Sequence, residues 1–253
     1  MELTVLGAAP AYTDRAGSAA SSYLLRAGDT ALLLDLGQGS FANLAATIEP
    51  SALAAVLVSH LHPDHFIDLV PLRHYLKWEF DPSRRVRVLG PTGLAARLDA
   101  LNGEPGFAAE ALDVESLVEG VLRIGLLEVE VRRVAHTDES YALRVAPAAR
   151  NGDARAPGLV YSGDCARAED LLPLLRSGDT LLTEATFGAG PVAPGAGHIT
   201  SGDAARVASA AGAARMLLTH ILSGYSRQEA LTSARAALSG TVQLVTEGDR
   251  FEV

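Results

Sequence analysis

Three of the seven histidines in this 253-residue chain fall in one short segment, His60-Leu61-His62-Pro63-Asp64-His65. Three imidazoles and a carboxylate at that density are costly to desolvate unless their lone pairs converge on a cation. Neutral imidazole and carboxylate are the usual ligands of zinc and similar divalent metals. In a loop, His60 and His62 can face one side of the chain, while Asp64 and His65 serve a second centre close by. Four further residues, His136, Asp164, Glu184 and His220, each end or follow an apolar run. Side chains at strand ends line a rim, where loops build sites on a rigid sheet. Taken singly, His136 or His220 reads as a hydrogen-bonded structural histidine, and Gly163-Asp164 as a turn. Beside the triple-histidine segment they form a metal-binding pattern. His74 fits no such position and is expected on a helix near the pocket mouth.

The elements that must position these residues are short β-type runs between helical stretches. Leu3–Gly7, Ser22–Ala27 and Thr30–Asp35 read as opening strands, with Gly28-Asp29 as a hairpin turn. Ala54–Ser59 reads as a buried strand that delivers the histidine segment. Asp68–Trp78 and Gly93–Leu101 read as helices around a strand at Arg85–Leu89. Leu126–Ala135 and Ser140–Val145 form a second hairpin, followed by strands at Gly158–Ser162 and Thr180–Glu184. Ser201–Ala211 has the clearest helix ends, with Thr200 and Asp203 as a capping box and Gly212 as the stop. Met216–Thr219 is a strand, Arg227–Leu238 a helix, and Thr241–Val245 the closing strand. Pro147–Gly158 and Gly188–Gly197 read as loops, neither long enough to separate domains, so residues 1–253 are expected to form a single domain.

Composition narrows the class. Apolar residues make up 48% of the chain, which excludes disorder. No apolar run approaches the ~18 residues that span a membrane. The amino terminus, Met1-Glu2-Leu3-Thr4, lacks the basic and apolar segments of a secretory signal, so a soluble, cytoplasmic protein is expected. One cysteine, Cys165, excludes an internal disulfide framework and a thiolate metal cage. The net charge of −9 argues against strong nucleic-acid binding, which draws on a basic excess. Arg84, Arg85, Arg87, Arg132 and Arg133 are the candidates for a local basic pocket, with solvated surface arginines as the plainer reading.

His60-Leu61-His62-Pro63-Asp64-His65, with His136, Asp164 and His220 downstream, resembles the metallo-β-lactamase superfamily of dinuclear metal-dependent hydrolases. The segment Leu34-Asp35-Leu36-Gly37-Gln38-Gly39-Ser40 is similar to the Asp-x-Gly turn that precedes the metal motif there. The resemblance covers nearly the whole chain and implies an α/β fold of four layers, an αββα sandwich with metals at one edge. By position it assigns His60, His62 and His136 to one metal, Asp64, His65 and His220 to the other, and Asp164 to both. Two divalent ions are implied, zinc or alternatively manganese, holding a bridging hydroxide that attacks in line with a leaving group. Asp64 would be ligand and proton acceptor, and Asp35 a partner that orients an imidazole. True β-lactamases are similar but carry cysteine where this chain has Asp164. Cys165 is one residue off, which disfavours β-lactam hydrolysis.

Two further motifs narrow the branch. Thr183-Glu184-Ala185-Thr186-Phe187 and Gly197-His198-Ile199-Thr200 resemble segments of the ribonuclease Z group of tRNA 3′-processing endonucleases. That resemblance implies a Glu184–His198 pair, with His198 offering a donor to phosphate or leaving group. The alternative is a polar pair that fixes a loop to a helix start. The long tRNA-gripping arm of that group lies between the positions matching His136 and Asp164, and this chain has no room for it there. Ile221-Leu222-Ser223-Gly224-Tyr225 also departs from the group's order. The expectation is a phosphodiesterase on a small-molecule substrate, such as a cyclic nucleotide. The alternatives are a tRNA 3′-end endonuclease, a lactone or thioester hydrolase, and a non-catalytic metal-binding protein. A homodimer is implied by resemblance alone.

Overall fold

The computed structural model describes residues 1–149, 156–193 and 195–253. Within the expected loops, residues 150–155 of Pro147–Gly158 and Pro194 of Gly188–Gly197 lie outside the described residues. Among the described residues, two seven-stranded sheets lie face to face. The first contains β1 (Glu2–Gly7), β2 (Ser22–Ala27), β3 (Thr30–Leu34), β4 (Ala55–Leu57), β5 (Val86–Gly90), β6 (Leu112–Ser116) and β14 (Arg250–Glu252), in the order β14-β1-β2-β3-β4-β5-β6. The second contains β7 (Gly120–Ile124), β8 (Leu127–Arg133), β9 (Tyr141–Pro147), β10 (Leu159–Tyr161), β11 (Thr180–Glu184), β12 (Arg215–Thr219) and β13 (Thr241–Leu244), in the order β13-β12-β11-β10-β9-β8-β7. Helices α1 (Ser40–Thr47), α2 (Pro63–Phe66), α3 (Leu69–Trp78) and α4 (Leu94–Asn102) accompany the first sheet. Helices α5 (Ser201–Ala211) and α6 (Arg227–Ala237) cover the second.

Strand patterning explains the layers. In β8, Leu127, Val129 and Val131 are buried while Glu128 and Glu130 are only partly so, the period of two expected of a half-buried strand. β3 is buried on both faces. Leu32 and Leu34 join the core between the sheets, and Leu33 joins the core under the helices of the first sheet. Each leucine fully withdrawn from water stabilises the fold by about 1.5–3 kcal/mol. These cores produce the expected αββα layering.

Strand direction aligns the candidate residues. β10, β11 and β12 are mutually parallel, and β8 and β10 both run antiparallel to β9. The carboxyl ends of β8, β10, β11 and β12 therefore share one edge, from which the chain enters the segments bearing His136, Asp164, Glu184 and His220. In the first sheet β3 and β4 are parallel and lead to Asp35 and to the histidine segment.

Several expectations are corrected. Asp64 and His65 stand on α2 rather than in a loop, because Pro63 occupies the first helical position, where its missing N–H costs nothing. Thr241–Val245 does not close the chain: β13 is an edge of the second sheet, and β14 returns to pair with β1. The sequence reading also missed β6, β7 and α1. β6 and β7 carry largely exposed side chains, and α1 buries only Ser40 and Leu44, so none has a strong apolar period. Strand β9 runs to Pro147, two residues past the expected end. No helix among the described residues is long and apolar enough to cross a membrane.

Candidate metal centre and active site

The rim brings the nine predicted site residues together. His60, His62, His136 and Asp164 each point a ligand atom into one space, and Asp64, His65, Asp164 and His220 into another. Within either group these atoms lie within 4.8 Å of one another. Asp164 belongs to both and divides its oxygens between them. Its Oδ2 is 3.7 Å from His60 Nε2 and 3.7 Å from His136 Nε2. Its Oδ1 is 3.4 Å from His65 Nε2 and 3.7 Å from His220 Nε2. His62 Nδ1 lies 3.1 Å from His136 Nε2, and Asp64 Oδ2 lies 3.1 Å from His220 Nε2. The first group opens to solvent at His62, whereas the second is wholly buried.

The donor set fits two divalent cations. Of the five buried side-chain polar atoms without a hydrogen-bond partner among the described residues, His60 Nε2, His65 Nε2 and Asp164 Oδ1 face these spaces. A buried polar atom without a partner costs about 1–3 kcal/mol, and one cation in each space would together satisfy all three. Burial, reinforced by the charge of His65, pushes the His60 imidazole well below its ordinary pKa and leaves a neutral ligand. The Asp164 carboxyl is held well below the usual range, because the histidines around it outweigh its burial. Burial would lower His65, but the Asp164 and Asp35 carboxylates raise it well above the ordinary value. The same negative field would attract a metal cation.

The far side of four of the five candidate ligand rings is also held. His65 Nδ1 donates to Asp35 Oδ2 at 2.7 Å, as the sequence suggested for Asp35. Asp35 further accepts from Ser59 N at 2.6 Å, Ser59 Oγ at 2.7 Å and the Tyr161 hydroxyl at 2.5 Å. His136 Nδ1 donates to the Gly197 carbonyl at 2.7 Å. His60 Nδ1 lies 3.1 Å from Ser59 Oγ, and His220 Nδ1 lies 2.9 Å from Thr186 Oγ1. Such contacts select the tautomer that aims the other nitrogen inward. Asp35 and His220 both take left-handed backbone, with φ of 57° and 58°. That conformation costs a non-glycine residue roughly 1 kcal/mol or more and is found at sites the surroundings over-determine.

Glu184 and His198 form the expected pair, with His198 Nδ1 at 3.0 and 3.1 Å from the two carboxylate oxygens. Glu184 also accepts from Cys165 N at 2.7 Å and from Thr186 Oγ1 at 2.5 Å, so it ties the segments after β10 and β11 together as well. Burial disfavours a charged His198, but the hydrogen bond and charge of Glu184 outweigh it and raise the imidazole pKa. With Nδ1 turned to Glu184, Nε2 is the nitrogen left for a substrate. A cleft of about 460 Å³ opens over these groups, lined by His62, Asp64, Asp164, His198 and His220, with Phe187 and Leu222 among its apolar walls.

Ser59, Tyr161 and Thr186 were not singled out from the sequence. Thr186 lies inside the Glu184-Ala185-Thr186 motif, which was the available signal for it, while Ser59 and Tyr161 sit in ordinary strand runs. His74 stands on a helix, α3, as expected, but its place near the pocket mouth is corrected: it lines a separate groove with Phe41, Tyr75 and Trp78 that shares no lining residue with the cleft. Cys165 is buried, its thiol pushed up to about 12 mainly by that burial, and Sγ contacts the Arg167 carbonyl at 2.9 Å rather than any histidine. The candidate basic pocket dissolves into separate contacts. Arg85 pairs with Asp113, Arg87 with Glu115, Arg132 with Glu130 and Arg133 with Glu139, while Arg84 donates to Ser51.

Residues 30–221 match the family described as a beta-lactamase superfamily domain. An uncharacterized protein of Mycobacterium leprae is 35% identical over 262 aligned residues, which cover 100% of this chain and 89% of that protein. The probable metallo-hydrolase YhfI of Bacillus subtilis is 25% identical over the full length of both chains, and its crystal structure matches with a TM-score of 0.85 over 99% of each. A ribonuclease Z of Haloarcula marismortui is 27% identical across 98% of this chain and 95% of its own. The crystal structure of human tRNase Z, short form, shares the fold, with 21% identity and a TM-score of 0.73 over 100% of this chain and 99% of that one.

Proposed function

The chain belongs to the beta-lactamase superfamily, as a metal-dependent hydrolase of the metallo-β-lactamase fold, and from that premise we propose that it hydrolyses phosphodiester bonds in a small substrate. The observation that carries this reading is the Glu184–His198 pair beside Asp164, where His198 Nδ1 lies 3.8 Å from Asp164 Oδ2. A relative named ribonuclease Z aligns along nearly the whole chain, which supports phosphate chemistry.

His60, His62 and His136 would hold one divalent cation, Asp64, His65 and His220 the other, with Asp164 shared; zinc suits this set, and manganese is the second choice. When bound, such ions lower the pKa of a water and neutralise charge on phosphate oxygens. The chain supplies the rest. Asp35, Ser59, Thr186 and the Gly197 carbonyl hold the rings of His65, His60, His220 and His136 in place, so these need no reorganisation as charge develops. Asp64 takes the proton of the attacking water. The new P–O bond forms as the ester P–O bond breaks, and His198 Nε2 gives its proton to the leaving oxygen. Glu184 stabilises the imidazolium before transfer.

A small substrate fits the −9 charge and the paired arginines, neither of which provides a track for a polynucleotide backbone. Cleavage of RNA 3′ ends stands second, favoured by the ribonuclease Z relative. The deciding experiment measures bis(p-nitrophenyl) phosphate hydrolysis by protein loaded with zinc or manganese, with Asp164→Ala as the blank. Metal-dependent turnover that vanishes in the blank is expected, and cyclic nucleotides and tRNA precursors are then compared. No turnover with both metals bound would move the assignment to lactones or thioesters.

A further inference from the structure

A second cavity of about 310 Å³ adjoins the active-site cleft, and His62 lines both. The two differ in chemistry. On the cleft side, the walls beyond the candidate metal ligands and His198 are mostly apolar, with Phe187 edge-on to His198 at 5.7 Å between ring centres. The second cavity is lined by Thr92, Arg97, Thr137, Asp138 and Glu139, from the start of α4 and the turn between β8 and β9. Glu139 is engaged, accepting from Thr92 N at 3.0 Å and from the Tyr141 hydroxyl at 2.7 Å. The side chains of Arg97 and Asp138 are both exposed, and among the described residues neither side chain makes an ion pair or hydrogen bond, the Arg97 backbone N–H being used within its own helix. The cavity thus presents one uncommitted fork of donors and one uncommitted pair of acceptor oxygens, close to His62.

We propose that this cavity is a subsite for the substituent that the phosphorus keeps, and that Arg97 and Asp138 read the polar edge of a heterocyclic base carried by it. The inference rests on the phosphodiesterase reading and deepens it to nucleoside phosphodiesters. A simple anion matches Arg97 but is repelled by Asp138, and an ammonium group meets the reverse. A base edge places carbonyl or ring-nitrogen acceptors beside an N–H donor, which satisfies both side chains at once. His198 lines the apolar cleft and not this cavity, so the leaving oxygen departs on the Phe187 side. The retained nucleoside then lies toward Arg97.

Two substrates with the same leaving group test this. The p-nitrophenyl ester of thymidine 5′-monophosphate keeps a nucleoside on phosphorus, whereas bis(p-nitrophenyl) phosphate keeps a second nitrophenyl group. In the metal-loaded protein, Arg97→Ala and Asp138→Ala should each lower the ratio of kcat/KM for the thymidine ester to that for the bis ester by about tenfold. An unchanged ratio overturns the subsite. If the wild-type protein hydrolyses neither ester, the phosphodiesterase reading fails and calorimetry judges the subsite separately. Thymidine 5′-monophosphate should then bind about tenfold more tightly than inorganic phosphate, an advantage lost in both variants. Equal affinity for the two ligands, or an advantage that survives the substitutions, overturns it.

Discussion

His198 and Glu184 make the sharpest claim at the scale of single residues. Glu184 raises the pKa of the His198 imidazole against the opposing effect of burial, so the acid form persists above the ordinary imidazole range. For a leaving alkoxide that needs a proton, kcat should hold at lower pH and fall as pH rises through the raised pKa. Replacing the carboxylate in Glu184→Gln removes the charge that supports the imidazolium, so the falling limb should move to lower pH. A kcat–pH profile on adenosine 3′,5′-cyclic monophosphate checks the sign. A limb that stays in place in Glu184→Gln and survives in His198→Ala assigns that titration to another group. Thr186 adds a constraint here, since its hydroxyl donates to Glu184 and lies beside the Nδ1 atoms of both His198 and His220. The proposed general-acid pair and one candidate metal ligand are therefore coupled through one oxygen.

At the scale of elements, the site depends on how α2 is seated. Leu36 N donates to the His65 carbonyl at 2.8 Å, and Asp68 N donates to the Leu36 carbonyl at 3.0 Å, locking the turn after β3 against this helix. Gly37 is essential to the contact, because a Cβ there would stand 1.9 Å from the Asp64 carbonyl oxygen. Gly37→Ala must therefore push away the helix that carries Asp64 and His65, while His60, His62 and His136 are held by other contacts. Metal titration against a competing chelator should find the second equivalent weakened more than tenfold and the first largely retained. Equal affinity for both equivalents would falsify this account of α2. The capping box of α5 acts similarly on the other sheet. Thr200 Oγ1 accepts from Asp203 N at 3.1 Å and fixes the helix start two residues beyond His198.

For the molecule as a whole, stability and site chemistry are separated along the strands. Asp179 precedes β11 and Glu184 ends it, so the two carboxylates lie at opposite ends of one strand. Asp179 is buried and bidentate to Arg144, with both contacts at 2.8 Å, and also accepts from Gly158 N at 2.8 Å. Removing one partner strands a buried charge, which costs roughly 3–5 kcal/mol, whereas replacing both with apolar residues of similar volume costs far less. Asp179→Ala should therefore lower the melting temperature by roughly 6–20 °C. The double variant Arg144→Met/Asp179→Leu should recover most of that loss, and metal affinity should change little in either. A thermal melt with and without metal checks this; a loss of metal affinity in the melt-stable double variant would tie the two ends of the sheet together.

The residue types of the site and their strand-end positions were legible in the sequence, because both are local properties. Ligand chemistry is written in His60 to His65, and the apolar runs before His136, Asp164, Glu184 and His220 mark where strands stop. The ends of α5 were equally readable, since Thr200, Asp203 and Gly212 act within a turn of their own helix. Tertiary structure decided what depends on contact between distant segments. The hydrogen bond from Tyr161 to Asp35 joins residues 126 positions apart and crosses from one sheet to the other. The same packing divides the oxygens of Asp164 between two sets of histidines, pairs β14 with β1, and sets the Arg97–Asp138 cavity beside His62. No local pattern carries that information: the site lies on an edge shared by two sheets, and its geometry exists only once their buried faces have met.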